Sequence, residues 1–539
     1  MSGITRRQFL LGGVSLAALA GVAGWRRSQY EAPVTGGIVG ANFALGHRLR
    51  EGHFPAPSET LRKKAVIVGG GIAGLSAAWK LHKSGFDDFV LLELEKEVGG
   101  NASSGKNAVS AYPWGAHYVP LLTEEATAAR ELFADLGIIT GAENGLPVYN
   151  DYYLGADPHE RLFMYGRWQE GLVPQIGIGP GDHAQYKAFF AKMEEFKAMK
   201  GSDGRRAFAI PMSKSSADKE LRALDAISMA DYLKRNGWDS PTLQWYVNYC
   251  CRDDYGATMQ DVSAWAGIHY FAARNGRAAN AETQAIVTWP EGNGWIVKQL
   301  EKQLSAHLQP QSLAFTVAKT DAGAEVRYWD AASQKTVAID AGAVILAVPR
   351  FVAERLLPTG INTEAFHYSP WMVANITLDA LPQGKGMVLA WDNMIYESEL
   401  LGYVVATHQN LNRFQERTVL TYYWPLSHLP PKAAREQAYK RGYAEWRDII
   451  LSELLKVHPE LRGHVRHLDV WLWGHGMIRP SPGFLWGRDR EAAQESAPPI
   501  FHAHSDMSGI SIFEEANHHG VQAAEQLMAS LHHPFTSSL

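Results

Sequence analysis

The stretch Ala65-Val66-Ile67-Val68-Gly69-Gly70-Gly71-Ile72-Ala73-Gly74 decides the fold class of this 539-residue chain. Its apolar, mostly β-branched opening suits a strand buried on both faces. Gly69, Gly71 and Gly74 then hold the three positions of a dinucleotide-binding fingerprint. The first permits a tight turn, the second lets backbone approach a pyrophosphate, and the third lets helix meet strand closely. Leu75 to Leu81 continues with helical periodicity until Ser84-Gly85 closes it. Such a helix, starting at Ile72-Ala73, turns its unpaired N–H groups and positive dipole end toward the phosphates. A second strand, Phe89 to Leu92, delivers Glu93, 24 residues after Gly69. A carboxylate there accepts from both hydroxyls of an adenosine ribose and repels a 2′-phosphate, which disfavours NADP.

Composition narrows the chemistry around that cradle. Lys+Arg 51 against Asp+Glu 56 gives a net charge of −5, with both signs scattered and no basic block after the N-terminus. That argues against nucleic acid as a partner. Cys250 and Cys251 are the only cysteines and they are adjacent. They cannot staple distant segments, and no spacing resembles a zinc or iron–sulfur site, so no metal is expected and any redox chemistry uses an organic cofactor or none. A chain of this length exceeds one core and is expected to form two or more packed domains.

The N-terminus reads as an address. Thr5-Arg6-Arg7-Gln8-Phe9-Leu10-Leu11 is followed by an apolar, small-residue run ending at Ala23. This resembles the twin-arginine export signal, with small-residue cleavage sites at Ala18-Leu19-Ala20 and Gly21-Val22-Ala23. The run from Leu10 is shorter than the roughly 20 residues that span a bilayer. The expectation is a folded, cofactor-loaded protein carried to the periplasm by the twin-arginine machinery. Retention as an anchor, and with it a transient membrane association, stays open. Residues 1–24 are taken as the signal and 25–59 as a linker, with Pro33, Gly36-Gly37 and Phe54-Pro55-Ala56-Pro57 breaking longer elements.

Beyond Glu93 further motifs line up. Gly99-Gly100 follows six residues later, and Asn101 comes next. Trp114-Gly115-Ala116-His117-Tyr118-Val119, Trp289-Pro290-Glu291-Gly292-Asn293-Gly294-Trp295 and the apolar strand 341–348 ending at Pro349 come after it. Ile500 to Asp506 and the segment 509–524 stand near the C-terminus. Together these resemble the flavin amine oxidoreductase superfamily, which includes monoamine and polyamine oxidases, protoporphyrinogen oxidase and phytoene desaturases. Two positions depart from that pattern: the superfamily usually has Arg at Asn101, and Ala-Gly at Ala503-His504.

The resemblance implies an α/β architecture. A Rossmann-type FAD-binding domain would be assembled from discontinuous segments 60–122, 283–351 and 481–532, beside a mixed sheet and helix substrate domain of 123–282 and 352–480. Segments 123–136, 228–237 and 261–273 read as helices of the second domain, and 368–378, 403–407 and 418–424 as strands. The resemblance further implies that Gly99, Gly100 and Asn101 approach the flavin diphosphate. Gly115, Ala116, His117 and Tyr118 would pass beside the isoalloxazine, and Leu313 and Ala314 beneath the adenine. Pro349 would end the second strand, Asp506 would hold the ribityl chain or diphosphate, and Ile512 and Phe513 would open the closing helix. The superfamily often links its flavin to a cysteine near the C-terminus. No cysteine lies there, so FAD is expected to be non-covalent, with His117 and His504 packing rather than linking.

For the substrate side, Trp471 and Trp473 stand where the superfamily often places aromatic walls, and they equally fit core positions at strand spacing. His117, Tyr118 and Glu514 (or its neighbour Glu515) complete the catalytic candidates. Asp253 and Asp254, after the paired cysteines, read more readily as caps on a solvated helix end than as a cation site. The expected reaction is hydride transfer from a small amine, possible polyamines included, to flavin N5, giving an imine that water hydrolyses. Two rivals stay open: a desaturase or porphyrinogen-type oxidase with an apolar tunnel, and a flavin-bound accessory protein without turnover. No motif specifies the electron acceptor.

Overall fold

The computed structural model describes residues 34–411 and 414–539. The export signal and its cleavage sites lie outside the described residues. Strand Glu59–Val68 forms the spine of a seven-stranded sheet. Its inner half, Ala65–Val68, is at most 5% exposed because parallel strands flank it on both sides, Phe89–Leu92 and Lys335–Leu346. Leu308–Gln309 extends one edge, while Gly323–Asp330 and Ser312–Thr320 extend the other as an antiparallel meander. Ile500–His502 returns from the far end of the chain to pair with Lys335–Leu346. Helices Ile72–Lys83 and Phe513–Ser530 pack closely on one another, since Gly520 has no side chain to strike the Ala73 carbonyl. The chain therefore builds its nucleotide-type domain from three separated segments.

The other sheet has eight strands and is longer-bladed. Val465–Ile478 lies between Ile38–Val39 and Tyr368–Leu378. Thr418–Pro425, Tyr403–Val405, Asp392–Ile395, Glu160–Met164 and Arg167–Glu170 follow in that order. A group of helices, among them Pro180–Ala198, Met229–Arg235, Pro241–Tyr255 and Ala264–Ala272, encloses its own core around Phe189, Met193 and Trp265. The expected segments 123–136, 228–237 and 261–273 contain helices Thr127–Asp135, Met229–Arg235 and Ala264–Ala272. Ser228 caps the second of these by accepting from the Asp231 N–H.

One expectation needs correction. The stretch read as a linker is structured over much of its described part. Ile38–Val39 adds to the edge of Val465–Ile478, and Phe43–Glu51 is a helix capped by the Asn42 side chain and stopped by Gly52 at φ +68°. Gly36, Gly37, Gly52, Pro55 and Pro57 do punctuate the described part, but they bracket short elements instead of dissolving them. Strand Glu59–Val68 also begins before Ala65, because exposed Glu59 to Arg62 pair in register with Val337 to Asp340.

Candidate active site

The three fingerprint glycines differ in what surrounds them. At Gly69 (φ +105°) an added Cβ would collide with the Ala347 carbonyl, and at Gly74 with the carbonyl of Gly69. Both positions are closed by backbone. At Gly71 a Cβ would meet nothing within 4 Å, because that residue opens onto a cavity of about 400 Å³. Ile72 and Ala73 line the same cavity at the start of helix Ile72–Lys83, whose first turn has no side-chain cap. Helix Phe513–Ser530 likewise starts uncapped at the cavity, with Ile512 and Phe513 on its wall. Two helix N-termini thus aim free N–H groups into one space, an arrangement suited to anionic ligand groups.

Glu93 stands at the end of its strand and is 8% exposed. The Gly70 N–H donates to its Oε2 at 2.6 Å and the Glu95 N–H to its Oε1 at 2.8 Å, and its carboxyl borders the cavity. Burial raises that carboxyl above the usual range. The Gly99 N–H donates to the Gly70 carbonyl at 2.8 Å, and a Cβ on Gly100 would crowd the Gly71 Cα. Gly115 has no room for a side chain against the Asn101 carbonyl, which accepts the Ala116 N–H at 2.8 Å. Asn101 also donates through its side chain to the Gly476 carbonyl, tying the cradle to the long strand of the second sheet. Gly99, Gly100, Asn101, Gly115 and Ala116 all line the cavity.

On the opposite wall Pro349 leads into a short helix whose first N–H, on Arg350, donates to Asp506 Oδ2 at 2.8 Å. Tyr368 donates its hydroxyl to the same oxygen at 2.5 Å. Burial pushes the Asp506 carboxyl up, but His504 and these hydrogen bonds outweigh it and hold the group below its usual range. Asp506 and His504 both face the cavity. Asn293 Oδ1 and Trp371 Nε1 are buried on its wall with no hydrogen-bond partner among the described residues. Buried polar atoms of this kind are normally satisfied, and a polar ligand would satisfy them.

The aromatic walls come from both domains. His117 stacks on Tyr423 at 4.5 Å and lies edge-on to Tyr118 at 5.1 Å. Burial lowers the His117 pKa to about 4, so the ring is neutral at neutral pH. Burial likewise holds the Tyr118 phenol protonated, well above its usual value. Trp473 lines the cavity and donates its indole N–H to the Trp114 carbonyl at 2.6 Å. Glu514, 4% exposed, reaches the wall from the first turn of the closing helix, and burial pushes its carboxyl up to about 7.

Several expected site residues sit elsewhere. Trp471 does not line the cavity; it packs behind Trp473 at 5.0 Å and against Trp114 at 5.2 Å, beside the added edge strand Ile38–Val39. Leu313 and Ala314 are buried in strand Ser312–Thr320, with Ala314 in the apolar core of the sheet; neither borders the cavity. Glu515 accepts from the Met212 N–H and the Ser508 hydroxyl instead of facing the cavity. Asp253 and Asp254 are not caps on a solvated helix end. They fall in the last turn of Pro241–Tyr255, are enclosed by protein and reach the cavity wall, with Asp254 paired to Arg274 at 2.5 Å.

Arg274, Trp371, Tyr423 and His475 also line the cavity without a motif that marks them as site residues, and Asn293 lines it from within the Trp289–Trp295 motif, which assigned it no role. Tyr423 lies in an expected strand that turned out to be buried along its whole length, so alternation could not say which face met a ligand. Arg274 follows the end of helix Ala264–Ala272 with no motif around it.

Residues 67–136 match a family profile described as an NAD(P)-binding Rossmann-like domain. An L-amino acid oxidase from Cerastes cerastes is 39% identical over 214 residues, a stretch covering 40% of this chain and 38% of that relative's length. Among solved structures, a putrescine oxidase bound to putrescine superposes with TM-score 0.62 at 17% identity, over 87% of this chain and 100% of that one. A cyclohexylamine oxidase from Brevibacterium oxydans gives TM-score 0.62 at 14% identity, over 87% and 99%. A fatty acid isomerase from P. acnes gives 0.59 at 16%, over 87% and 98%. The chain has the α/β fold of the flavin amine oxidases, and that fold also carries chemistry on substrates without nitrogen.

Proposed function

We propose that the protein is a FAD-dependent oxidoreductase that oxidises a small amine, working in the periplasm after export by the twin-arginine route. One observation carries the substrate class: the cavity wall joins aromatic faces (His117, Tyr423, Trp371, Trp473) to carboxylates (Asp253, Asp254, Glu514). A desaturase or porphyrinogen oxidase calls for a continuous apolar tunnel instead. The cradle supports FAD. Gly71 is open to a pyrophosphate, Glu93 is placed to accept from a ribose, Gly100, Asn101 and the two uncapped helices offer N–H groups, and Asp506 faces them. No cysteine lines the cavity among the described residues, which supports a non-covalent cofactor. When bound, FAD supplies the hydride acceptor.

The protein's own share is orientation, dryness and proton handling. His117, Tyr423 and Trp473 flank the substrate with ring faces and exclude water. Desolvation between them lowers the pKa of an arriving ammonium, favouring the neutral amine from which hydride can leave. Glu514, with its carboxyl near 7, is suited to take that proton at neutral pH. Water then hydrolyses the imine to an aldehyde and ammonia or a smaller amine.

An α-amino acid reading, prompted by the snake oxidase relative, would need a free cation for the substrate carboxylate. Arg274 is the one Arg or Lys on the cavity wall among the described residues, and Asp254 already engages it at 2.5 Å. The structure therefore favours a cationic substrate over a zwitterion. The test is stoichiometry: without oxygen, one equivalent of a primary amine should bleach one flavin and yield one aldehyde. Bleaching with no aldehyde or ketone formed would overturn the reading. For export, Arg6 and Arg7 replaced together by Lys should leave the protein inside the cell, since the signal depends on guanidinium geometry. Undiminished periplasmic protein would show that another route operates.

A further inference from the structure

Away from the cavity, two histidines and an aspartate meet at the far end of the fingerprint helix. Helix Ile72–Lys83 stops at Ser84-Gly85, where the Gly85 N–H donates to the His82 carbonyl at 2.9 Å and the Phe86 N–H to the Leu81 carbonyl at 3.0 Å. This is the paired hydrogen bonding of a Schellman turn, and Gly85 at φ +72° supplies the left-handed residue it needs. The turn folds Asp87 back beside His82, whose Nδ1 lies 2.6 Å from Asp87 Oδ1. His307 comes from a remote part of the chain. It ends the 3₁₀ turn Ser305–His307, immediately before strand Leu308–Gln309, which pairs with Phe89–Leu92. Its ring stacks on Phe89 at 4.2 Å, and that contact holds Nε2 3.6 Å from the same Asp87 oxygen.

Among the described residues this is the only place where three His, Cys, Asp or Glu side chains bring ligand atoms within 4.8 Å of one another. The His307 ring makes no hydrogen bond among those residues, and no Lys or Arg engages Asp87. The neighbouring cations are held elsewhere: Lys63 by Asp88 at 3.4 Å, and Lys83 by Glu131 at 2.8 Å and Asp135 at 2.6 Å. The negative end of the helix dipole also falls here, and it favours a cation. His82 and Asp87 are exposed and His307 is partly buried, so the group is open to solvent. No sequence spacing announces it, because the third ligand arrives only when Leu308–Gln309 joins the sheet edge.

We infer that His82, Asp87 and His307 bind a divalent transition-metal ion such as zinc, at a site separate from the cavity and independent of the reaction proposed there. Two imidazoles and one carboxylate suit zinc, nickel or copper(II), whereas magnesium and calcium prefer oxygen ligands throughout. With bonds of about 2.0–2.1 Å, a tetrahedral ion holds its ligand atoms roughly 3.3 Å apart. The separations of 2.6 Å and 3.6 Å from Asp87 Oδ1 straddle that value, and rotation of the exposed Asp87 side chain evens them out. Three protein ligands leave the fourth position to water. An ion there joins the end of helix Ile72–Lys83 to the sheet edge. The other end of that helix opens the nucleotide cradle, so the ion acts on stability and not on the chemistry.

The test is a calorimetric titration of the purified protein, carrying no histidine tag and freed of metal by a chelator that is then removed. Zinc chloride should bind saturably at one ion per chain, and magnesium chloride should give no binding heat at the same concentrations. Saturating zinc should also raise Tm, since an ion that binds only the folded chain stabilises it. His82→Gln, Asp87→Asn and His307→Gln should each weaken zinc binding by about tenfold or more, at least what loss of an outer-sphere partner costs, and should remove the rise in Tm. His82→Gln and Asp87→Asn alter exposed side chains, so both should fold with unchanged flavin content. Zinc uptake and a Tm rise that persist in all three variants would mean adventitious binding at other surface histidines and would overturn the site. So would a wild-type protein that takes up no zinc saturably.

Discussion

The nucleotide cradle and the charged wall of Asp253, Asp254, Arg274 and Glu514 border one cavity but are built by opposite means. The cradle is backbone work: within Gly69 to Glu93 and the Gly99-Gly100 turn, the shape depends on missing side chains and free N–H groups. The wall is side-chain work, with Asp253 and Asp254 from helix Pro241–Tyr255, Glu514 from helix Phe513–Ser530 and Arg274 from the segment after helix Ala264–Ala272. A backbone site tolerates change wherever a side chain is not forced into it. A wall of buried charges depends on every member, since removing one alters the protonation of the rest.

That contrast can be broken most sharply at two glycines. Gly74→Val should prevent folding, because its side chain would be driven into the Gly69 carbonyl. Gly71→Val should fold with near wild-type thermal stability, since space is free and φ is −72°, yet hold no flavin because the valine occupies the phosphate approach. Stoichiometric flavin in purified Gly71→Val would show the cradle to be misassigned. Next in size, Glu93→Ala should weaken FAD binding by roughly 10- to 100-fold, the loss of a charge-assisted contact. Equilibrium dialysis of the variant against FAD measures it.

Smaller effects belong to the side-chain half. Trp473→Ala removes one ring face and should slow flavin reduction by about 2- to 30-fold with flavin content unchanged. An unchanged rate would assign Trp473 to packing alone. Asp253→Asn should act on stability through pH. In the wild type the buried carboxyl holds its proton up to about 7, whereas the unfolded chain releases it near the ordinary value of 3.8. The folded state therefore binds more protons across that window, and wild-type stability falls as pH rises from about 4 to about 7. The asparagine variant lacks this loss, so its advantage should grow across the same window and level off above it. The ceiling is on the order of a few kcal/mol, read as a difference in Tm between the two proteins at each pH. A pH-independent difference would mean that Asp253 is not held protonated by burial.

The same contrast explains what the sequence made legible. A backbone site leaves a local signature, because glycine at Gly69, Gly71 and Gly74 is demanded by turn, approach and packing within six residues. The strand and helix around it follow from periodicity. Tyr368–Leu378 is legible as a strand because aromatic, β-branched and other apolar residues dominate it, broken only by Ser369, Pro370, Asn375 and Thr377. A side-chain site has no such signature. Asp253-Asp254 reads as a polar helix end until tertiary packing brings it to the cavity wall, and Arg274 pairs with Asp254 only once two helices have packed. Trp471 and Trp473 illustrate the limit of alternation. Both occupy the same face of one strand, and the neighbouring Trp114 and added edge strand decide that Trp473 meets the cavity and Trp471 does not.

The most direct test of the central claim is anaerobic mixing of the purified, full-length protein with candidate reductants, followed by flavin absorbance. The panel holds 1,4-diaminobutane, a secondary polyamine, a polyene and a porphyrinogen. The expected result is a yellow protein bleached by the amines, faster as pH rises from about 7 to about 9 because the neutral amine is the reactive form. A protein bleached by the polyene or the porphyrinogen and by no amine in that range would contradict the account, and the desaturase or porphyrinogen-oxidase reading would take its place.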